Sequence, residues 1–141
     1  MNKIKIKIWD KKLNKMWEPI ELSMLLSYLL FKKCPNSDLY MAMKDHFIDM
    51  IFLQCSNKID KNLKEIYQGD IVKYYEKNLI VGFANAHFMI FSGKELDDAY
   101  RGNHEDLWKA LGDVSKENDS ENKVLVIGNI YENPELLNEQ K

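Results

Sequence analysis

The chain has 141 residues, a formal net charge of −2 and 45% apolar residues. These values fit one globular domain over residues 1–141 that needs no disulfide, and they exclude a chain drawn to nucleic acid or membranes by its overall charge. The charged opening and the shortness of every apolar run predict a cytoplasmic protein without a secretory signal or membrane span.

A basic β-hairpin is predicted for residues 1–18. Ile4, Ile6 and Ile8 alternate with lysines, which is typical of a strand with one buried face. Residues 11–15 form the loop, and Pro19 is expected to stop the return strand. A solvated lysine face explains the local charge, and a nucleic-acid surface is the alternative. The candidate contacts of that surface are Lys3, Lys5, Lys7, Lys11, Lys12 and Lys15, with Trp9 and Trp17 as stacking aromatics.

An amphipathic helix is predicted for residues 20–33. Five leucines share one face of it at a spacing of three and four residues. We interpret this face as core, with a partner-binding face as the alternative. The leucines are Leu22, Leu25, Leu26, Leu29 and Leu30.

A series of short strands separated by turns is predicted for the core, residues 39–93 and 123–133, which indicates a small antiparallel barrel or sandwich. A tight connection is expected at Lys77-Asn78, and Pro134 is expected to start a last helical turn. The predicted strands are 39–43, 50–55, 65–67, 71–75, 79–83, 87–91 and a buried one at 124–127.

Residues 94–122 are predicted to be an acidic insertion, because they hold nine acids against four basic residues. Asn103 as N-cap and Gly112 as C-terminal glycine predict a short helix over 104–111. The polar stretch 115–122 predicts a mobile loop.

No phosphate-binding loop and no serine-nucleophile motif occurs in the sequence. Weaker candidates are a metal site, a hard-cation site and an acid–base pair flanking Tyr67, and for each we favour a structural or solvated role. Their residues are Asp45, His46 and Asp49; Asp97, Asp98, His104, Glu105 and Asp106; and Glu65 with Asp70. Cys34 and Cys55 are expected to be reduced thiols. We therefore predict no metal, no cofactor and no enzymatic activity.

Three stretches together resemble the YopX family of phage and prophage proteins. They are residues 4–10 with Met16; residues 53–56, 60–62 and 64–72; and residues 126–137. The family-motif residues within them are Trp9, Asp10, Glu65, Tyr67, Gly69, Asp70, Gly128, Asn129, Tyr131, Asn133 and Pro134.

The resemblance implies a mostly β (α+β) fold, a small SH3-like antiparallel β-barrel with an N-terminal hairpin, one amphipathic helix and a short inserted helix. It also implies an oligomer and carries no catalytic residue, so we expect the motif residues to be architectural. This chain departs from the family at Asn57 and Leu63, where glycine is usual. Asn57 tolerates a left-handed backbone, but Leu63 does so poorly, so we expect a rearranged loop there.

Three functional hypotheses follow. The first is a phage or prophage accessory protein without enzymatic activity, which binds a phage or host protein or assembles with itself. The second is nucleic-acid binding through the N-terminal lysines, and the third is an enzyme whose site is built between subunits.

Overall fold

The computed structural model describes residues 3–84, 87–91, 104–106 and 124–137. The chain divides into two compact units, Met1–Cys55 (unit 1) and Ser56–Lys141 (unit 2). Strands predominate in the part described, together with two α-helices, so the fold is mostly β and of the α+β class.

Unit 1 is built from a sheet and two helices. Its elements are β1 (Lys5–Asp10), β2 (Lys15–Glu21), α1 (Leu22–Phe31), α2 (Ser37–His46), a 3₁₀ turn (Phe47–Asp49) and β3 (Met50–Ile59), which runs on into unit 2. Strand β1 pairs antiparallel with β2 on one side and with β3 on the other. The predicted hairpin and the predicted helix 20–33 are therefore confirmed.

Strand β2 continues through Pro19, contrary to the expectation that this proline stops it. The strand order β2-β1-β3-β4 leaves β2 at an edge. Proline has no backbone N–H, and an edge strand tolerates it on its unpaired side.

Helix α2 replaces the strand predicted for residues 39–43. The side chain of Asn36 caps the helix by accepting the N–H of Leu39 at 3.0 Å. Leu39, Ala42, Met43 and His46 are buried at helical spacing. The prediction was wrong because a short apolar run does not distinguish a strand from a buried helix segment.

The core of unit 1 lies between the sheet and both helices. Ile6 and Ile8 alternate inward from β1, as their period of two predicts. Tyr28 of α1 stacks on Phe47 with ring centroids 6.0 Å apart. The buried cluster comprises Ile6, Ile8, Trp17, Ile20, Leu25, Tyr28, Leu39, Ala42, Met43 and Met50.

Unit 2 contains an open sheet of order β8-β7-β6-β5-β9 among its described residues. Its elements are β4 (Glu65–Tyr67), β5 (Asp70–Tyr74), β6 (Lys77–Ala84), β7 (His87–Phe91), β8 (His104–Asp106), β9 (Leu125–Asn129) and a 3₁₀ turn (Pro134–Leu137). The strands predicted for this region and the turn that begins at Pro134 are confirmed. Its main buried cluster is Ile66, Val72, Val81, Ile90 and Val124. No closed barrel occurs in the described ranges, so the SH3-like barrel stays a prediction.

Three details of unit 2 differ from expectation. The β5–β6 connection is Tyr75-Glu76, with φ of 49° and 64°, rather than Lys77-Asn78. Residues 104–106 pair with β7 as a strand instead of starting a helix, and 107–111 lie outside the described residues, as does the predicted loop 115–122. Residues 125–128 are half-buried rather than fully buried, because β9 is an edge strand.

Candidate functional site

The carboxylate of Asp10, fully buried at the end of β1, is the centre of a polar cluster in unit 1. It accepts the N–H of Leu13 at 3.0 Å and the indole N–H of Trp17 at 3.2 Å. His46 Nε2 lies 2.6 Å from its Oδ2. Burial alone raises the pKa of Asp10, but the hydrogen bonds from His46, Leu13 and Trp17 outweigh it and leave that pKa below its ordinary value.

His46 lies between two carboxylates. Its Nδ1 is 2.9 Å from Asp45 Oδ2, which also accepts a hydrogen bond from Lys12 Nζ at 2.6 Å. The hydrogen bonds to Asp10 and Asp45 raise the pKa of His46. Ionised carboxylates only accept hydrogen bonds, so both ring nitrogens carry a proton. The group is an imidazolium that holds the end of α2 to the end of β1.

This cluster is the polar feature that the sequence did not predict. A general base needs an unprotonated nitrogen facing a substrate, and both nitrogens of His46 are engaged in the structure. The metal hypothesis grouped His46 with Asp45 and Asp49, whereas the structure bonds His46 to Asp45 and to Asp10. In the ranges that the structure describes, no group of three His, Cys, Asp or Glu side chains is arranged to hold a metal ion.

Helix α1 buries one face and exposes another that is also apolar. Leu25 and Tyr28 point into the core. Leu26, Leu29, Leu30 and Phe31 are 46%, 44%, 71% and 68% exposed. The prediction that all five leucines pack in the core therefore holds for only part of them. A surface helix normally places polar residues on its outer face, and this one carries none with a charge between residues 22 and 31.

The exposed apolar face is large enough to be a binding surface. Four half-exposed or more exposed side chains present roughly 400 Å², which is on the order of the largest apolar patch of a typical monomer and often marks an interaction site. Beside the C-terminal end of α1 lies an open depression of about 510 Å³. It is lined by Ser27, Lys32, Lys33, Cys34, Pro35, Ser37 and Tyr40, a set with two cations and no carboxylate.

The N-terminal lysines lie mostly at the surface of unit 1, and several have partners there. Lys3 forms an ion pair with Glu21 at 3.3 Å, and Lys12 forms one with Asp45. Lys15 Nζ sits 3.8 Å from the centroid of the Trp17 ring. Lys11 is exposed, and Lys5 and Lys7 are half-buried on β1. Nucleic-acid contact by these lysines stays a prediction.

The two tryptophans proposed as stacking aromatics are both buried. Trp9 and Trp17 are each 7% exposed. A stacking platform for bases needs an open ring face. In this conformation neither ring offers one, so the aromatic part of that hypothesis lacks an accessible stacking surface.

Around the β4–β5 turn, the family-motif residues are bonded to one another. The hydroxyl of Tyr67 donates to Glu65 Oε2 at 2.9 Å, and the backbone N–H of Tyr67 donates to Asp70 Oδ2 at 2.8 Å. Gly69 has φ of 89°, a value that favours glycine. The suggested acid–base pair of Glu65 and Asp70 thus serves to fix this turn.

After β9, an asparagine turn is built from the other family-motif residues. Asn129 Oδ1 accepts the N–H groups of Tyr131 and Glu132, and Asn133 Oδ1 accepts the N–H of Asn129. A Cβ on Gly128 would lie 2.6 Å from Asn133 Oδ1. Glycine is therefore required at position 128 for Asn133 to make its bond.

Asp60 anchors the loop between β3 and β4. Its Oδ1 accepts the N–H groups of Asn62 and Lys64, and its Oδ2 accepts that of Val126 on the edge strand β9. The two positions where the family usually has glycine have φ of 62° at Asn57 and 66° at Leu63. Leu63 therefore adopts a left-handed conformation despite its branched side chain, and the rearrangement of this loop relative to the family stays a prediction.

A family model described as "YopX protein" matches residues 5–138. The crystal structure of protein EF1440 from Enterococcus faecalis is 19% identical, with a TM-score of 0.48, and the match covers 95% of this chain and 97% of that one. No curated protein matches. Within the described segments, no helix has the length and apolar character needed to cross a membrane.

Proposed function

This chain belongs to the YopX family, and on that premise we propose that it is a non-enzymatic accessory protein of a phage or prophage that acts by self-assembly through α1. The observation that carries this proposal is the apolar outer face formed by Leu26, Leu29, Leu30 and Phe31. Exposing such a face to water costs a free energy of roughly 25 cal/mol per Å² of apolar surface. A second copy that covers the face relieves this cost in both protomers.

The charge around α1 favours a second copy over an unrelated partner. Glu18 and Glu21 precede the helix, where Lys3 forms an ion pair with Glu21, and Lys32 and Lys33 follow it. The surface is therefore complementary to itself, with a net negative charge at one end and a positive charge at the other. The state of the titratable side chains also supports a role without catalysis, since His46, Glu65 and Asp70 each serve to hold backbone or side chains in place.

Sedimentation velocity of the full chain over a range of concentrations tests this proposal. Two faces of this size bury about 800 Å² in total, which is the size of a weak interface, so we expect a dimer that dissociates at micromolar or higher concentrations. Leu30→Glu should stay monomeric. Ile48→Glu, at a residue of unit 1 that is 89% exposed, is the matched control and should dimerise as the wild type does.

A monomeric wild type at every concentration rejects self-assembly. If such a monomer instead retains one host or phage protein at fixed stoichiometry, and Leu30→Glu loses it, α1 binds that protein. Equal behaviour of Leu30→Glu and Ile48→Glu would remove α1 from the function.

A second proposal is single-strand nucleic-acid binding by the lysines of the hairpin, with the SH3-like barrel as its expected setting. The exposure of Lys3, Lys11, Lys12 and Lys15 favours it. Neutralising about six phosphates gives a slope near −4 to −5 for log affinity against log salt concentration. The ion pairs of Lys3 and Lys12 argue for a shallower slope. Binding that does not weaken with salt would refute this proposal.

A further inference from the structure

We infer that two copies pair through α1 in an antiparallel, two-fold arrangement, with the axis passing near Leu26 and Ser27; this rests on the self-assembly proposed above. The inference starts from the helical positions of the exposed side chains. At 100° per residue, Ser23, Leu26 and Leu30 fall within one narrow sector opposite Leu25 and Tyr28, which are buried. The sector runs along the helix from Ser23 to Leu30, so a partner helix can lie along it, with Leu29 and Phe31 on its two flanks, each about 100° round the helix axis.

The charge distribution selects the antiparallel direction. Lys32 and Lys33 are exposed at the end of α1. In a parallel pair, four lysines from the two protomers would lie together and repel each other. In an antiparallel pair, these lysines and the cationic depression face the partner's end that carries Glu18 and Glu21. The two helix dipoles also oppose each other in this direction, which is favourable.

The sizes of the side chains suit the same arrangement. An axis between Leu26 and Ser27 places Ser23 of one protomer opposite Leu30 of its partner, and the symmetry repeats this contact. A small residue opposite a large one lets neighbouring helices interdigitate at the usual separation of about 8–10 Å. A parallel pair would instead place Ser23 opposite Ser23 and Leu30 opposite Leu30.

Disulfide cross-linking of the full chain tests the arrangement. All variants carry Cys34→Ser, because the native Cys34 lies close to the end of α1, whereas Cys55 is buried. Leu26→Cys lies near the axis and should cross-link with itself. Ser23→Cys and Leu30→Cys should each fail alone, since seven residues of helix separate their positions by about 10 Å along the axis, beyond disulfide reach. An equimolar mixture of these two variants should cross-link into a heterodimer.

Ile48→Cys measures the background from random collisions and should give far less cross-linked product than Leu26→Cys. Efficient cross-linking of Leu30→Cys alone would establish a parallel pair and overturn the arrangement. Failure of Leu26→Cys and of the mixture, in a protein that sediments as a dimer, would place the interface elsewhere. A protein that does not sediment as a dimer refutes the proposed function itself, so the two failures are distinguishable.

Reversal of one charge is an independent test, because the antiparallel and parallel arrangements predict opposite changes in the affinity of the dimer. Lys33→Glu places an acid beside the partner's acids in the antiparallel pair, and the dimer should weaken by about fivefold. In a parallel pair the same change relieves repulsion and strengthens the dimer. Adding Glu18→Lys to Lys33→Glu should restore the wild-type dissociation constant only in the antiparallel case.

Discussion

Both units bury aspartates, but the partners of these aspartates differ. Asp10 in unit 1 binds the charged ring of His46, which changes its protonation near neutral pH. Asp60 and Asp70 in unit 2 accept backbone N–H groups, which do not titrate. The same residue type therefore links unit 1 to a histidine that can titrate, whereas in unit 2 it anchors the backbone of turns.

The largest difference between the units should come from removal of Asp10. Asp10→Ala leaves the indole N–H of Trp17 and the ring of His46 buried without their acceptor, and we expect unit 1 to lose about 3 kcal/mol. Denaturation followed by tryptophan fluorescence in a Trp108→Phe background reports unit 1, where Trp9 and Trp17 lie. Amide exchange at Val72 and Val81 should stay as in the wild type. Equal loss of protection in both units would show that the loss of Asp10 does not act on unit 1 alone.

The corresponding change in unit 2 is Gly128→Ala. The new methyl group would displace Asn133, and the overpacking together with the lost hydrogen bond should cost about 2 kcal/mol. Asn133→Ala removes the two nearest atoms, Oδ1 and Cγ, and leaves Cβ at 3.0 Å, so Gly128→Ala should cost less in that background. Additive effects in this double-mutant cycle would rule out the contact as the cause. Thermal unfolding and amide exchange of unit 2 give the stabilities of the wild type, the two single variants and the double variant.

A smaller difference between the units is expected in how their stability depends on pH. Folding raises the pKa of His46 above its usual 6.5, so its contribution is complete below that pH and is lost as the pH rises through the higher folded value. Folding lowers the pKa of Asp10, whose contribution is lost in acid as the pH falls through that lowered value.

Unit 1 should therefore be most stable between about pH 4 and 6.5 and weaken on the alkaline side. His46→Gln should flatten the alkaline limb and leave the exchange rates of unit 2, corrected for intrinsic pH effects, unchanged. Asp45 and Lys12 also face His46, and Asp49 acts on Lys12, so Asp45→Asn is the matched variant and should retain a reduced alkaline limb. An alkaline limb unchanged in His46→Gln would exclude this histidine as its origin.

The smallest expected effect is a gain of stability in unit 2. Leu63 occupies a left-handed conformation that costs a branched side chain about 1 kcal/mol, and its side chain is 72% exposed. Leu63→Gly should raise the stability of unit 2 by about 0.5 kcal/mol, because the relief of this strain exceeds the cost of glycine's greater freedom in the unfolded chain. Asn57→Gly is the control and should gain less, because asparagine tolerates this conformation. A loss at position 63 would show that the exposed leucine makes a stabilising contact.

Regular alternation made the strands predictable, and distance in sequence concealed the cluster at Asp10. Ile6 and Ile8 reveal their strand by period alone, and Gly69 with Asp70 reveals a turn by composition. His46 and Asp10 lie 36 residues apart, and their bond depends on α2, which the sequence presented as a strand. The burial of each leucine in α1 was equally unreadable, since the spacing defines a stripe but does not say how much of it the sheet covers.

The position of the strands along the chain determines when each sheet can be completed during synthesis. The partners that flank β1 have all left the ribosome once Cys55 emerges, so unit 1 can pair its strands early. The outer edge of β5 can pair only after β9 has been translated, and only then can Asp60 accept the N–H of Val126. A nascent chain thus carries an unpaired edge from the emergence of β5 until β9 follows, and a ribosome stalled before β9 would leave that edge open to aggregation.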